Sequence, residues 1–208
     1  MDHAADRSTR FRAPGDDDPV IIETSRLRLR ELTADDLPAL KRILRDPEVM
    51  VAYEGPLDDE ETQDWLSRQQ MRYRDDGFGL WAVEALADGE VIGQCGLTRQ
   101  SGSGEDVIEV GYLFRKDAWG RGYATEAAAR CVQHAFDTMQ ADSVHAQIRD
   151  TNLASMNVAI RLGMTVRGRF VKHYRGVVMP HLDFSIGREA WEVRKHEVGN
   201  PSESTRWG

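Results

Sequence analysis

The hydrophobic pattern of the chain switches repeatedly between the two-residue period of strands and the longer period of helices. Apolar and polar residues alternate over 26–30, as in a half-buried strand. Leu37, Leu40 and Leu44 then recur at helical spacing. The switching continues to about residue 187 and predicts the order β-α-α-β-β-β-α-β-α-β-β. Such an order favours an α/β domain in which helices pack on a mixed sheet.

Local signals mark where several of these elements begin and end. Asp36 is placed to cap the first helix, which puts a proline in its first turn. Asp58 and Glu61 have the spacing of a capping box and predict the start of the second helix. Asp88 and Gly89 predict a hairpin between two strands. The predicted strands lie at 26–30, 80–86, 91–98, 107–114, 143–148, 166–172 and 182–187.

Length and composition indicate one folded domain of ordinary globular type. The chain has 208 residues, of which 40% are hydrophobic and 30% charged. A chain of this size buries enough surface to fold without disulfides or metals. Residues 1–19 are polar and rich in aspartate, which predicts a disordered leader, and residues 193–208 are expected to form a flexible tail. The domain is therefore expected to span 20–192.

The sequence argues against several functional classes. The longest unbroken apolar run, Val49–Tyr53, is much shorter than the roughly 20 residues of a membrane-spanning helix. A formal net charge of −8 argues against a nucleic-acid partner and suits an amine-bearing one. No Cys or His pair has the spacing of metal ligands, so no metal is expected. Cys95 and Cys131 lie in apolar segments and are expected to be buried thiols in a reducing cytoplasm.

The segment that joins the strand at 107–114 to the next helix is the most informative for chemistry. Gly120 and Gly122 form a short loop there, beside three basic residues. Because the first backbone N–H groups of a helix have no partner within it, such a loop is predicted to cradle a phosphate. A tight structural turn fits the same residues. The dinucleotide fingerprint is absent, since Thr125 stands where its third glycine would fall, and no Walker A ending occurs. The basic residues are Arg115, Lys116 and Arg121.

The loop Trp119–Ala124 resembles the acetyl-CoA loop of the GNAT superfamily of N-acetyltransferases. Its usual form is Gln/Arg-x-x-Gly-x-Gly/Ala; Gly122 and Ala124 match it, whereas Trp119 replaces the usual Gln or Arg. The run Trp-Gly-Arg-Gly-Tyr-Ala-Thr-Glu-Ala is similar to the RimJ/RimL branch, and the resemblance covers essentially all of 20–192. The other motifs of that branch are, in order, Thr24–Arg30, Asn152–Ser155, Gly163–Met164, Asp183 and Trp191.

The resemblance implies a mixed, mostly antiparallel sheet of six to seven strands, splayed at its centre, with helices on both faces. It implies acetyl-CoA as the co-substrate and no metal. The pantetheine arm would pair with the backbone of Tyr112–Phe114 and be held by Asn152, while the diphosphate would rest on the amides of Gly120–Thr125. Three arginines are candidates for the phosphates. The implied cofactor-binding residues are Tyr112, Leu113, Phe114, Arg115, Trp119, Gly120, Arg121, Gly122, Tyr123, Ala124, Thr125, Asn152 and Arg161.

The resemblance also implies attack of an amine on the thioester, and Glu109 lies where related enzymes often carry a catalytic glutamate. At pH 7, deprotonating a lysine-like amine costs about 4–5 kcal/mol, whereas a chain N-terminus costs about 1 kcal/mol. We therefore expect Glu109 to be the general base, rather than a surface carboxylate paired with an arginine. The tyrosine that many relatives use as general acid is Ala159 here. Ser155 is the candidate for that role, and a serine that only bonds its own helix is the alternative. The backbone N–H near Leu113 is a candidate for polarising the carbonyl.

Three functions stay open at this point. The first is an acyl-CoA-dependent N-acetyltransferase acting on a primary amine, which is either a protein N-terminus or a small molecule such as a polyamine or an aminoglycoside. The second is a non-catalytic acyl-CoA-binding module, and the third is a nucleotide-binding scaffold. Relatives are commonly dimers, so a homodimer is expected by analogy. The acceptor pocket is expected within 50–80 and 172–183, from Tyr53, Glu54, Trp65, Trp81, Tyr174 and His181.

Overall fold

A computed structural model describes residues 20–101, 106–174 and 176–198, which form eight strands and five α-helices. The strands are β1 Val20–Glu23, β2 Leu27–Arg30, β3 Leu80–Ala85, β4 Val91–Ser101, β5 Asp106–Phe114, β6 Ser143–Arg149, β7 Thr165–Tyr174 and β8 Val177–Gly187. The helices are α1 Leu37–Leu44, α2 Asp59–Asp75, α3 Tyr123–Asp137, α4 Leu153–Arg161 and α5 Arg188–Val198.

The strands form a single mixed sheet in the order β1-β2-β3-β4-β5-β6-β8-β7. All neighbouring pairs are antiparallel except β5 and β6, which are parallel. The mostly antiparallel mixed sheet is therefore confirmed, but it has eight strands rather than six to seven. The additional strand is β1, which pairs with β2 at the sheet edge. Its apolar run is too short and too close to the polar leader to show alternation.

Helices cover both faces of the sheet, as expected. On one face, α1 and α2 enclose a core to which Leu40, Ile43 and Leu66 contribute. On the other face, α3 and α4 pack on a larger core that contains Phe136 and Leu162. Strand side chains alternate between the two cores, as the two-residue period of a strand requires.

The capping and turn residues lie at the ends of helices and strands, as the sequence predicts. Helix α1 begins after Asp36, with its proline in the first turn. At the start of α2, the Asp58 carboxylate accepts the Glu61 N–H at 2.8 Å, and the Glu61 carboxylate accepts the Asp58 N–H at 2.9 Å. In the β3–β4 hairpin, the N–H of Gly89, which has a φ of 72°, donates to the Ala85 carbonyl at 2.8 Å. These predictions are confirmed.

Helix α5 extends past residue 192, where the sequence places the end of the domain. Trp191 is buried, and its ring centroid lies 6.3 Å from that of Phe136. Arg188 donates to the carbonyls of Phe136 and Ala141 at 2.8 and 2.9 Å. The helix was missed because it is mostly charged and one large side chain anchors it. The predicted leader 1–19 and the end of the predicted tail, 199–208, lie outside the described residues.

Candidate active site

The centre of the sheet opens where β5 and β6 part. β5 pairs with β4 along its whole length, but the described pairing of β5 with β6 is limited to Glu109 and His145. A cavity of about 580 Å³ lies beyond that point, with residues 109–113 of β5 and 146–149 of β6 in its walls. The splayed centre of the sheet is thereby confirmed. Beyond Glu109, the edge of β5 that faces β6 has no strand partner among the described residues.

Glu109 lies at the start of this opening and lines the cavity. Its carboxylate accepts the backbone N–H of Gln147 at 3.1 Å, which ties the side chain to β6. Burial raises the pKa of Glu109, and the negative charge of Asp183 adds to the rise. The positive charges of Lys172 and Arg72 act against it. Glu109 is therefore a stronger base than a solvent-exposed glutamate.

Two hydroxyl groups lie in the same cavity as Glu109. Asn152 caps α4, its side-chain oxygen accepting the Ser155 N–H at 3.1 Å. The Tyr112 hydroxyl donates to the Ser155 carbonyl at 2.9 Å, and burial raises the pKa of Tyr112, which stays protonated. Within the described residues, the Ser155 hydroxyl has no hydrogen-bond partner. The cavity thus combines the Glu109 carboxylate with two hydroxyl groups, of which that of Tyr112 is engaged by the Ser155 carbonyl.

The glycine-bearing turn before α3 is open to solvent. The Trp119 indole N–H donates to the Phe114 carbonyl at 2.9 Å, and the side chain is 47% exposed. Gly120 and Gly122 have φ values of 72° and 78°, which side-chain-bearing residues rarely adopt. Gly122 precedes α3, and no side chain caps this helix end. The first amides of α3 are therefore available to an anion.

The side chain of Arg26 holds this turn in place. Its Nη1 donates to the Arg121 carbonyl at 3.0 Å, and its Nε donates to the Glu126 carboxylate at 2.7 Å. The guanidinium carbon lies 4.7 Å from the centroid of the Tyr123 ring. Thr24 donates to the other Glu126 oxygen at 2.6 Å. The turn between β1 and β2 and the first turn of α3 are joined through one buried carboxylate.

A family model described as an acetyltransferase (GNAT) domain matches residues 26–165. The chain belongs to the GNAT acetyltransferase family. It is 38% identical to the uncharacterized protein YkkB of Bacillus subtilis over 144 residues, which cover 69% of this chain and 84% of YkkB. It is 26% identical to the uncharacterized N-acetyltransferase YnaD of the same organism, over 73% of this chain and 86% of YnaD.

Solved structures share the GNAT fold. An acetyltransferase from Agrobacterium tumefaciens is 27% identical, with a TM-score of 0.69 over 82% of this chain and 95% of that protein. The RimL ribosomal alpha-N-protein acetyltransferase has a TM-score of 0.68 at 16% identity, over 82% of this chain and 94% of that protein. At 16% identity, the similarity to RimL shows only a shared fold.

The three arginines suggested for the phosphates of a GNAT cofactor lie in different surroundings. Arg115 is hydrogen-bonded to Glu90 at 2.7 Å and to both oxygens of Asp117 at 3.0 Å, so its charge is already neutralised. Arg161 is exposed in the last turn of α4 and does not line the cavity. Arg121 is exposed on the turn itself. The spacing along the chain did not reveal the carboxylates that face Arg115.

The acceptor walls suggested by the sequence are partly brought together. Trp81 is a correction: it is 2% exposed and packs edge to face on His134, because its position in β3 faces α3. Glu54 is a second correction, because it forms an ion pair with Arg149 and does not line the cavity. The suggested residues that do line the cavity are Tyr53, Trp65, Tyr174 and His181.

Three cavity residues near Glu109 were not singled out by the sequence analysis, although two of them fall within the ranges expected for the acceptor pocket. Gln147, Arg72 and Lys172 lie on β6, α2 and β7, and no local motif distinguishes them. Their role depends on facing Glu109, which follows from strand register and helix packing. Ala159 is fully buried in the core, so the position of the family's tyrosine supplies no acid.

Within residues 20–101, 106–174 and 176–198, no group of three His, Cys, Asp or Glu side chains is arranged to hold a metal ion. In the same ranges, no helix is both long and apolar enough to cross a membrane.

Proposed function

We propose that this protein transfers an acetyl group from acetyl-CoA to a primary amine, with Glu109 as the general base. The observation that carries the proposal is the position of Glu109. It lies where β5 and β6 part, in one cavity with Tyr112 and Ser155. Membership of the GNAT family supports acetyl transfer as the class of reaction. By analogy, we expect a cytoplasmic homodimer.

Two features of the chain fit the two ends of CoA. The unpaired edge of β5 offers the backbone groups of Tyr112 to the pantetheine amides. Those of Leu113 point to β4, because hydrogen-bonded pairs alternate along the ladder and Arg115 donates to Ile92. The Phe114 carbonyl is already taken by Trp119, which shortens the edge that the sequence suggested. The uncapped amides at the start of α3 suit the diphosphate, with Arg121 beside them. The bound co-substrate supplies the thioester that the amine attacks.

Glu109 and Ser155 have complementary roles in the proposed reaction. The amine nitrogen forms a bond to the acyl carbon, and the carbon–sulfur bond breaks. Glu109 takes the proton that the amine loses, directly or through water. The departing sulfur takes a proton from the Ser155 hydroxyl, and the proton that Glu109 took returns to Ser155 through water. The Tyr112 hydroxyl positions Ser155 through its carbonyl. The products are an N-acetyl amine and free CoA.

The first test compares Glu109→Gln with the unchanged protein. CoA release from acetyl-CoA is followed with a panel of amines, and CoA affinity is measured by calorimetry. We expect kcat to fall by about 10²–10⁴, the usual contribution of a general base, with CoA affinity retained. Glu60→Gln, an exposed carboxylate of α2 outside the cavity, is the matched control and should keep full activity.

The pH dependence gives a second readout of the same residue. A base acts only when ionised, and burial raises the pKa of Glu109. The activity should therefore rise with pH along a limb above the ordinary glutamate value of about 4.3. Full activity in Glu109→Gln at every pH would refute its role as base.

The alternative is a GNAT module that binds acyl-CoA without turnover. The buried Ala159, in place of the family's tyrosine, is the observation in its favour. It predicts tight CoA binding and no CoA release with any amine. A protein without CoA affinity contradicts both functions.

A further inference from the structure

Two cations that line the cavity act on the catalytic carboxylate. Arg72 comes from α2 and Lys172 from β7, and both are half-buried. The Arg72 guanidinium donates to the Gln69 side chain at 3.2 Å, and the Lys172 ammonium lies 5.6 Å from the centroid of the Phe170 ring. Neither forms an ion pair with a carboxylate of the described residues. No ion pair therefore neutralises either side chain, and both positive charges act on Glu109.

The other charges of the cavity lie at its outer part or are paired. Arg149 forms an ion pair with Glu54. Asp64 and Arg68 are both exposed at the rim on α2 and oppose each other in sign. Glu61 adds a negative charge at the start of α2, where its carboxylate accepts the Asp58 N–H.

Two further titratable groups lie near Glu109. Asp183 is hydrogen-bonded to His145 at 3.0 Å, and its negative charge acts on Glu109 from outside the cavity lining. His181 also lines the cavity, and its pKa is lowered by burial, so it is neutral near pH 7. Within the inner cavity, the two cations thus lie near one functional carboxylate, Glu109.

The amide oxygen of Gln147 provides an independent sign of a ligand. The residue lines the cavity, is 9% exposed, and its Oε1 has no hydrogen-bond partner among the described residues. A buried acceptor without a partner is unfavourable, so rotation of the side-chain amide that turns Oε1 toward the cavity is stabilised by a ligand N–H there. The backbone N–H of the same residue holds the Glu109 carboxylate. The two acceptor groups are thereby linked through one residue.

We propose that the acceptor is a small amine with an anionic group close to its nitrogen, of the α-amino acid type. The amine lies between Glu109 and Gln147, and the anionic group lies on Arg72 and Lys172. A polyamine or an aminoglycoside, which carries only positive charge, is repelled by the same two cations. This inference rests on the proposed acetyl transfer and names the class of its acceptor.

The test compares acceptors that share one carbon skeleton. L-Leucine, L-leucinamide and isoamylamine are assayed with acetyl-CoA and the full chain, together with the corresponding sets for the other amino acids, an aminoalkyl phosphonate and spermidine. CoA release is quantified by chromatography. We expect the best acid to exceed its own amide and its decarboxylated partner by tenfold or more in kcat/KM, about 1.4 kcal/mol. The amide is the intrinsically more reactive amine, because its nitrogen loses its proton more easily.

Each outcome of this comparison decides the inference. If the aminoalkyl phosphonate has a higher kcat/KM than the carboxylate, the anionic group is supported, but it is a phosphonate or phosphate rather than a carboxylate. Amides, decarboxylated amines or spermidine that match or exceed the acids overturn the inference and leave acetyl transfer standing. If no acceptor of any class causes CoA release, both this inference and the proposed acetyl transfer are refuted.

Variants of the two cations separate recognition from structure. Both cations lower the pKa of Glu109, so the variants are compared at a pH on the plateau of each activity profile. There, Lys172→Gln and Arg72→Gln should each raise KM for the acid on the order of tenfold and leave KM for the amide unchanged. Arg74→Gln, at an exposed position of α2 outside the cavity, is the matched control. Lys172→Arg should restore the preference. A parallel rise in KM for acid and amide would show a merely structural role and overturn the assignment.

Discussion

Replacing Arg26 by alanine should weaken CoA binding, although this residue lies outside the cavity. Arg26 donates to the Glu126 carboxylate and to the Arg121 carbonyl, and its guanidinium covers the Tyr123 ring. The substitution removes all three contacts. It also leaves the Glu126 side chain, which is 8% exposed, with a negative charge that only Thr24 bonds. That charge lies in the first turn of the helix whose amides are proposed to bind the diphosphate.

The size of the effect follows from burial. A hydrogen bond to a charged group contributes about 1.5–3 kcal/mol when it is buried. The Arg26 side chain is 42% exposed, so solvent screens part of this. We therefore expect CoA affinity to fall by about 1–2 kcal/mol, which corresponds to roughly 5–30-fold in Kd.

Calorimetry with CoA, for Arg26→Ala and matched variants, measures this loss. Arg28→Ala is the control, because Arg28 is two residues away on β2 but pairs with the exposed Glu23 at 3.5 Å. It should bind CoA normally. Adding Glu126→Gln to Arg26→Ala removes the uncompensated charge and should recover part of the affinity. Unchanged affinity in Arg26→Ala, in a protein of normal stability, would refute the view that Arg26 holds the turn.

Two further predictions concern stability and thiol reactivity. Arg30 joins the buried carboxylates of Asp36 and Glu84 through bonds of 2.7 and 2.8 Å, so Arg30→Met should lower the free energy of unfolding by about 3–5 kcal/mol. A loss below about 1 kcal/mol in urea denaturation would contradict that role. Cys95 and Cys131 are 0% exposed, and burial raises the pKa of Cys131. Both should resist a thiol reagent until the protein unfolds; rapid labelling of the native protein would disagree with their burial.

Elements that depend on neighbouring residues were predictable from the sequence. The capping box of Asp58 and Glu61 and the hairpin at Gly89 are closed by hydrogen bonds between residues a few positions apart. Strand β1 and helix α5 were missed because each depends on a distant partner. β1 needs the edge of β2, and α5 needs the Phe136 surface on which Trp191 packs.

The same distinction between local and distant contacts applies to the candidate site. The glycine turn and Glu109 were recognised from a contiguous motif and its resemblance to a family, and the motif Thr24–Arg30 was recognised without its physical role. The structure shows that role: Arg26 reaches α3, and Arg30 joins two buried carboxylates. Arg115, in contrast, carries a plausible local signal but is bonded to Glu90 and Asp117.

The sequence by itself determined the family, the alternation of strands and helices, and the turn before α3, because these are encoded in residues that are close together along the chain. Tertiary structure alone decided what faces Glu109. Gln147, Arg72 and Lys172 come from three separate elements. They meet only because β5 and β6 part after one paired position while α2 and β7 close the sides. Register and packing are set by the whole core, so the charge of the cavity is a property of the folded chain.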